Sequence, residues 1–158
     1  MPFKGSGLMF LISLVSVLVL GVYCQAGYQK FVTQHYDNPK SSVGKQYCDV
    51  MMKRRGLDKP ACKQVNTFIH DTKKNIIAVC TASGGKDYGK GLRISLRPFT
   101  VTTCKLKGGS SRPPCKYSDN KSSRYIVIAC QDGKPVHFDE GIIVREDFQG
   151  PDKKCSAF

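Results

Sequence analysis

The stretch CKQVNTF, residues 62–68, places a cysteine, a lysine and a threonine in one short run. In an extended chain Val65, Thr67 and Ile69 alternate with Asn66, Phe68 and His70, a pattern that predicts a β-strand with one polar face. Lys63 and Thr67 are four positions apart, so an extended chain can present both on the same side. A lysine beside a cysteine is usually a solvated side chain next to a structural disulfide, so the partners of this stretch decide its meaning.

The chain is short and strongly basic. Its 158 residues carry a formal net charge of +13, with an isoelectric point near 9.5. This length favours one domain with a single core. The positive charge exceeds what solubility requires and favours polyanionic partners such as nucleic acid, sulfated glycans or anionic membranes.

The N-terminus has the pattern of a secretory signal peptide. Lys4 precedes an apolar run over residues 8–22, which is short for a membrane span and has no stop-transfer flank. Cleavage after Cys24 or after Ala26 fits the pattern, and both remove Cys24. We therefore expect a signal peptide over residues 1–24, a mature domain over 25–145 and secretion to the extracellular space.

The cysteines beyond the signal peptide are spread widely and lack the CxxC pairs of zinc sites. They are Cys48, Cys62, Cys80, Cys104, Cys115, Cys130 and Cys155. Export and this spacing predict three disulfides, with several pairings open and one cysteine left over. The expected odd one is Cys155, in a polar C-terminal extension over residues 146–158.

Helix signals lie early in the chain. Apolar residues at three- and four-residue steps predict a short helix from residue 27 that ends at Asn38-Pro39, with His35 beside its packing face. A second helix is predicted over residues 45–55, with Gly56 as its stop. Its inward residues are Tyr47, Cys48, Met51 and Met52. Asp71 or Thr72 can cap a third, short helix that leads to Cys80.

Strand signals dominate the second half. Residues 92–96, 99–106, 124–130 and 135–144 are rich in β-branched and apolar side chains, with glycine and proline turns between them. The glycine-rich residues 83–91 predict a flexible loop. Helices first and strands last predict an α+β domain with an antiparallel sheet.

Three fragments carry a resemblance to a known family: QH at residues 34–35, CKQVNTF at 62–68 and VHFD at 136–139. Together they resemble the pancreatic-type ribonuclease (ribonuclease A) superfamily. Further stretches, at residues 53–57, 66–70, 101–106 and 113–115, resemble its angiogenin-like branch. The resemblance implies a ribonuclease A-like fold, with short N-terminal helices packed on a bent antiparallel sheet. It also implies the disulfides Cys48–Cys104, Cys62–Cys115 and Cys80–Cys130.

RNA cleavage by transesterification needs a base for the 2′-hydroxyl proton, an acid for the leaving oxygen, and a cation for the charge on phosphorus oxygens. The resemblance implies His35 as base, His137 as acid and Lys63 as cation, with no metal and no cofactor. Asp139 resembles the carboxylate that orients the acid imidazole. The third histidine, His70, has no matching role, and we interpret it as structural or exposed.

The resemblance also implies how substrate binds. Gln34, Asn66 and the Phe138 main-chain amide are expected to contact substrate, the first and last at the phosphate. Thr67 resembles the residue that reads a pyrimidine, and Asp132 stands where a glutamate contacts the second base. Glu140 occupies the place of a glutamine that blocks the pyrimidine pocket in the angiogenin-like branch, so weak activity is expected.

The leading hypothesis is a secreted, monomeric endoribonuclease that cleaves single-stranded RNA after pyrimidines through a 2′,3′-cyclic phosphate. One alternative is an angiogenic signalling factor with nuclear or nucleolar uptake, for which Lys53, Arg54 and Arg55 resemble a targeting run. The alternative interpretation of that run is a solvated helix end. Another alternative is a cationic antimicrobial protein. The expected partners are RNA, ribonuclease inhibitor, cell-surface polyanions and anionic membranes.

Overall fold

The computed structural model describes residues 6–145, which form three helices and eight strands. The helices are α1 (Ser6–His35), α2 (Tyr47–Arg54) and α3 (Lys73–Ala78). The strands are β1 (Val65–Ile69), β2 (Gly85–Gly89), β3 (Leu92–Ser95), β4 (Phe99–Leu106), β5 (Tyr117–Tyr125), β6 (Val127–Gln131), β7 (Lys134–Phe138) and β8 (Val144–Arg145). The predicted C-terminal extension and Cys155 lie outside the described residues.

The helices agree with the sequence pattern in position. α1 joins the apolar N-terminal segment and the predicted first helix in one continuous helix that ends at His35. The four predicted inward residues of α2 are all buried, and Gly56 follows the helix at a φ of +67°. Thr72 caps α3 by accepting a hydrogen bond from the backbone N–H of Asn75. Within residues 6–145, no helix combines the length and hydropathy of a membrane span.

The strands form two four-stranded antiparallel sheets, which confirms the α+β class. One sheet has the order β1-β4-β5-β8 and the other β2-β3-β6-β7. The chain crosses between the sheets at Ile126, where the predicted strand over residues 124–130 divides into the end of β5 and β6. Ile126 bonds there to Ser95, donating its N–H to Ser95 Oγ and accepting from the Ser95 N–H.

Strand β1 packs into two core clusters. Ile69 belongs to the cluster under α1 and α3, and Phe68 belongs to the cluster under α2. Asn66 and Thr67, which lie on opposite faces of β1, are fully buried as well. Their polar groups must be satisfied within the protein, and this places β1 at the centre of the site.

Three disulfides join the helices and loops to the sheets: Cys48–Cys104, Cys62–Cys115 and Cys80–Cys130. These are the pairs that the family resemblance implies. Each closes a loop of 50 to 56 residues, worth roughly 4 kcal/mol in the chain-entropy account. The Cys62–Cys115 bridge anchors the chain just before Lys63.

Three elements differ from the sequence prediction. The strand predicted over residues 135–144 divides into β7 and β8, because a turn follows Phe138. The glycine-rich residues 83–91 are not a flexible loop, because β2 pairs with β3 as a hairpin. Arg93 holds that hairpin by donating to the carbonyls of Val79, Thr81 and Gly85. Strand β5 begins at Tyr117, seven residues before the predicted strand. Its polar, half-exposed start carries no apolar signal, and its pairing with β4 supplies the order.

Candidate active site

His35 is the last residue of α1, and the fold buries it to 4% exposure. Its Nδ1 lies 2.8 Å from the backbone oxygen of Thr67 on β1. A carbonyl oxygen can only accept, so Nδ1 carries the proton and Nε2 of the neutral ring is the free acceptor. The rings of Phe31 and Phe138 lie 5.2 and 5.1 Å from the imidazole and confine its orientation.

Burial controls the protonation of His35. Desolvation lowers the pKa of His35 to about 3, although the hydrogen bond to Thr67 opposes this shift. The charges of Lys63 and His137 lower this pKa further. The imidazole is therefore neutral at physiological pH, which is the state that a general base requires.

Lys63 is held by a relay of side chains. Its Nζ donates to Asn66 Oδ1 at 2.8 Å, and Asn66 Nδ2 donates to the backbone oxygen of Gln34, also at 2.8 Å. Asn66 is fully buried, so in this structure its amide joins the end of α1 to Lys63. Burial lowers the pKa of Lys63, and the carboxylate of Glu140 opposes that shift.

The other predicted phosphate-side residues lie on α1 and β7. His137 is exposed, and its charge acts on His35, so the two imidazoles are neighbours across the helix and the strand. Phe138 is buried and stacks on His35, and Gln34 is half-buried. Among the described residues, Lys63 and His137 thus both lie close enough to His35 for their charges to act on it.

Two predicted residues make other contacts. Asp139 Oδ1 accepts from the backbone N–H groups of Gly141 and Ile142 at 2.9 and 3.1 Å. No hydrogen bond joins Asp139 to His137 in the described chain, because this carboxylate organises the turn after β7. Asp132 lies in the exposed turn between β6 and β7 at a φ of +50°. Its contact with a second base stays a prediction.

The predicted base-reading residue, Thr67, is occupied by Glu140. The Thr67 N–H donates to Glu140 Oε1 at 2.7 Å, and the Thr67 hydroxyl donates to Oε2 at 2.6 Å. Glu140 also lines a cavity of about 570 Å³ whose rim includes Lys105 and Arg145. The carboxylate therefore fills the point where Thr67 would meet a base.

Arg124 is a site residue that the sequence analysis missed. It is 5% exposed, and its Nη2 donates to the hydroxyl oxygens of Thr67 and Thr103, each at 2.7 Å. Burial lowers the pKa of Arg124, and Glu140 opposes that shift. A charged residue at the start of the apolar run over residues 124–130 was the only signal for it.

A polar cluster around Asp37 supports the end of α1. Asp37 accepts from the hydroxyls of Ser41 and Tyr47, each at 2.6 Å. Burial opposes ionisation, yet these hydrogen bonds hold the pKa of Asp37 below its usual value. His70 bonds to the Asp37 backbone oxygen and to Thr102 Oγ1, which confirms a structural role for this histidine.

The basic residues at the C-terminal end of α2, Lys53, Arg54 and Arg55, differ in exposure. Arg55 donates to the backbone oxygens of Thr33 and Tyr36 at 2.7 and 2.8 Å, and its guanidinium lies 3.6 Å from Asp37. It thus binds the C-terminal carbonyls of α1, where a cation complements the helix dipole. Lys53 and Arg54 are exposed. No three His, Cys, Asp or Glu side chains of residues 6–145 converge as metal ligands.

Comparison with known proteins gives matches to one family. A sequence model of the pancreatic ribonuclease family matches residues 26–139. Angiogenin-3 of Mus musculus is 59% identical over 116 residues, which cover 73% of this chain and 79% of the relative. Mouse angiogenin is 50% identical over 133 residues, which cover 84% and 90% of the two chains. The crystal structure of green turtle egg white ribonuclease has a TM-score of 0.70 and 45% identity, covering 73% of this chain and 98% of that one.

These matches show the family, and the chain belongs to the pancreatic ribonucleases, with the ribonuclease A-like fold. Within the family its character is angiogenin-like. The protein is accordingly a metal-independent endoribonuclease.

Proposed function

We propose that the protein cleaves single-stranded RNA on the 3′ side of pyrimidines, through a 2′,3′-cyclic phosphate. The observation that carries this proposal is the state of His35, which keeps Nδ1 on Thr67 and leaves Nε2 free as an acceptor. Nε2 takes the proton of the 2′-hydroxyl as its oxygen attacks phosphorus. Protonated His137 gives its proton to the departing 5′-oxygen.

Lys63 stabilises the charge that grows on the non-bridging phosphoryl oxygens. An ammonium has three donors, and Asn66 takes one, so two remain for phosphate. Gln34 precedes His35 in the chain and the Phe138 ring stacks on His35, so Gln34 and the Phe138 main-chain amide are proposed as further phosphate contacts. Asp139 is proposed to reach His137 only when substrate reorganises the turn that it now holds.

We propose that Glu140 limits turnover by occupying Thr67. Each recognition group of Thr67 must exchange a carboxylate oxygen for a base atom before a pyrimidine can bind. This closed arrangement favours a second candidate function, an angiogenin-like signalling factor whose role needs only slow RNA cleavage. Exposed Lys53 and Arg54 are the better candidates for a nuclear-targeting contact, because Arg55 is engaged with α1.

Secretion and the partners belong to the same proposal. Five apolar side chains of α1 before the domain are 46 to 68% exposed, namely Leu14, Val15, Val17, Leu18 and Val19. They add nothing to the core, which fits a signal peptide removed after Cys24 or Ala26. Ribonuclease inhibitor, cell-surface polyanions and anionic membranes are proposed partners of the monomer on the ground of its charge, +13.

The test is cleavage of tRNA and of a fluorescent pyrimidine-containing dinucleotide by the purified protein in EDTA. We expect cleavage with a cyclic-phosphate product, and a loss of about 10²-fold or more in kcat/KM for His35→Ala and for His137→Ala. The matched control is Lys134→Ala on the exposed start of β7. Unchanged cleavage in either histidine variant would rule out this mechanism.

A further inference from the structure

Strand β5 contains the sequence Asn-Lys-Ser at residues 120–122. An asparagine followed two positions later by serine or threonine, with no proline between them, is the acceptor motif for N-linked glycosylation. Of the asparagines in the chain, only Asn120 stands in this motif. A motif of three residues also arises by chance, so its place in the structure decides its meaning.

The Asn120 side chain is exposed, and within residues 6–145 it makes no hydrogen bond. Strand β8 pairs with β5 only at Arg124 and Tyr125, so the outer edge of residues 117–123 has no partner strand in the described chain. Asn120 therefore lies on an open edge of the sheet. A glycan attached there projects into solvent without displacing any contact of the fold.

The strand register aligns Asn120 with the proposed base site. Thr67 on β1 pairs with Thr103 on β4, and Thr103 pairs with Asn120 on β5. Directly paired residues project from the same face of a sheet, so the three form one row across it. Neighbouring strands are about 4.8 Å apart, which puts the Asn120 backbone about 10 Å from that of Thr67. Asn120 also lines the cavity of about 570 Å³ to which Glu140 contributes.

We propose that Asn120 is an N-glycosylation site and that its glycan limits the access of large, folded RNA to this cavity. The donor is a lipid-linked oligosaccharide diphosphate of the secretory pathway. The bond from C1 of its first sugar to the diphosphate oxygen breaks, and its electron pair leaves with the lipid diphosphate. A bond forms between C1 and Asn120 Nδ2, which loses one proton. The inference rests on the proposed secretion, because only an exported chain meets this donor.

The expected effect depends on substrate size. Lys105, Lys121 and Arg145 line the same cavity and are the cations that a large RNA can contact with its phosphates. A bulky glycan beside them keeps such an RNA away, whereas a dinucleotide is small enough to pass. The loss of one such contact corresponds to about a fivefold change in kcat/KM.

The modification is tested by expressing the full chain in mammalian cells and measuring the intact mass of the secreted protein before and after treatment with peptide N-glycosidase. We expect the parent and S123A to lose the mass of one glycan, and N120Q and S122A to lose none. S122A is the decisive variant because it removes the motif but keeps Asn120. S123A is its matched control, a serine-to-alanine change one residue outside the motif.

The effect on access is measured with the same secreted proteins. N120Q and S122A should exceed the parent by about fivefold in kcat/KM on tRNA and by less than about twofold on the pyrimidine-containing dinucleotide. The same variants made in bacteria without this modification should match the bacterial parent on both substrates. Equal tRNA rates for the glycosylated parent and S122A would overturn the role in access.

The outcomes separate this inference from the function on which it rests. A secreted parent without glycosidase-sensitive mass would overturn the inference and leave the proposed ribonuclease mechanism intact. If no protein reaches the medium, the proposed secretion is wrong, and residues 25–158 behind an unrelated signal peptide still decide whether Asn120 accepts a glycan. If every form fails to cleave RNA, the proposed function is wrong, and the mass measurement still decides the site.

Discussion

The phosphate side and the base side of the site are prepared in opposite ways. On the proposed phosphate side, Nε2 of His35 is free to accept and His137 is exposed, so neither group proposed to react has its role taken by a contact within the protein. On the base side, both recognition groups of Thr67 are already bonded to Glu140. We therefore call the phosphate side the open side. We call the base side the closed side, because Thr67 is already hydrogen-bonded within the protein.

Thr67 is where the two sides meet. Its carbonyl fixes the tautomer of His35, and its N–H and hydroxyl hold Glu140. Because one residue serves both sides, a change in base binding can reach the catalytic base through a single peptide unit. The two sides can nevertheless be tested separately, by mutating residues that belong to only one of them.

The largest expected effect comes from Lys63 on the open side. Lys63→Ala should lower kcat/KM by about 10²- to 10³-fold, because the transition-state charge loses its cation. Asn66→Ala keeps the cation but removes the hydrogen bond that holds it in place. We therefore expect a smaller loss in kcat/KM, of about tenfold. RNA cleavage assays measure both, with the exposed Lys107→Ala as the control. A Lys63→Ala protein within threefold of the parent would contradict the role of this lysine.

Acid should destabilise the open side through His35. An unfolded histidine has a pKa near 6.5, whereas burial lowers the pKa of His35 to about 3 in the folded protein. Between these values the unfolded state binds the extra proton, so stability is full above pH 6.5 and falls as pH falls. The slope approaches about 1.4 kcal/mol per pH unit.

Urea unfolding of the disulfide-intact protein between pH 7 and pH 4.5 measures this slope. His35→Gln is the control, since it can keep a donor to the Thr67 oxygen but does not titrate. The difference between the two slopes isolates His35 from His70 and the carboxylates. Equal slopes for the parent and His35→Gln would show that folding does not lower the pKa of His35.

Arg55 tests what holds the open side in place. Arg55→Ala should lower the free energy of unfolding by about 2 kcal/mol, because carbonyls at the end of α1 lose their donor and Asp37 loses a cation. The free energy of unfolding of Arg55→Lys should lie between those of Arg55→Ala and the parent, since lysine keeps the charge but lacks the planar guanidinium group. Denaturant unfolding measures these effects, and the exposed Arg54→Ala should stay within about 0.5 kcal/mol of the parent. Equal effects of Arg54→Ala and Arg55→Ala would indicate that both side chains are merely solvated.

Opening the closed side should have the smallest effect and the opposite sign. Glu140→Ala should raise kcat/KM on the cytidine–adenosine dinucleotide CpA by about tenfold. The base then no longer has to replace the two charge-assisted hydrogen bonds between Thr67 and Glu140. Glu140→Gln should give a smaller gain, because its amide offers Thr67 one acceptor and one mismatched donor. Asp87→Asn on the β2–β3 hairpin controls for loss of a negative charge. A decrease in rate for Glu140→Ala would mean that this carboxylate assists the reaction.

The sequence predicted the elements whose side chains repeat with a helical or strand period. α2 agrees with the pattern because it packs one face into one core cluster, and β4 agrees because it contributes side chains to both clusters. The start of β5 was missed because its side chains from residue 118 to residue 123 are all polar, so only its pairing with β4 reveals a strand. The hairpin over residues 83–91 was read as a flexible loop because its glycines dominate the pattern, whereas Arg93 orders it from the neighbouring strand.

Within the site, motif residues were easier to predict than the contacts between them. His35, Lys63 and Thr67 lie in recognisable fragments, and the structure brings them together. The bonds from Arg124 to Thr67 and from Thr67 to Glu140 span 57 and 73 positions, beyond any local pattern. The same holds for Asp139, whose turn contacts depend on the chain path after β7.

The bond between Glu140 and Thr67 makes the carboxylate a tethered competitive inhibitor. A ligand held in the same chain acts at an effective concentration of roughly millimolar or more, and apparent affinity for a competitor falls by the fraction of time that the site is open. A dinucleotide has little binding energy besides its base with which to overcome that competition. A long RNA gains additional phosphate contacts with a chain of charge +13, so length should partly replace base affinity. We therefore expect Glu140 to favour long RNA over dinucleotides.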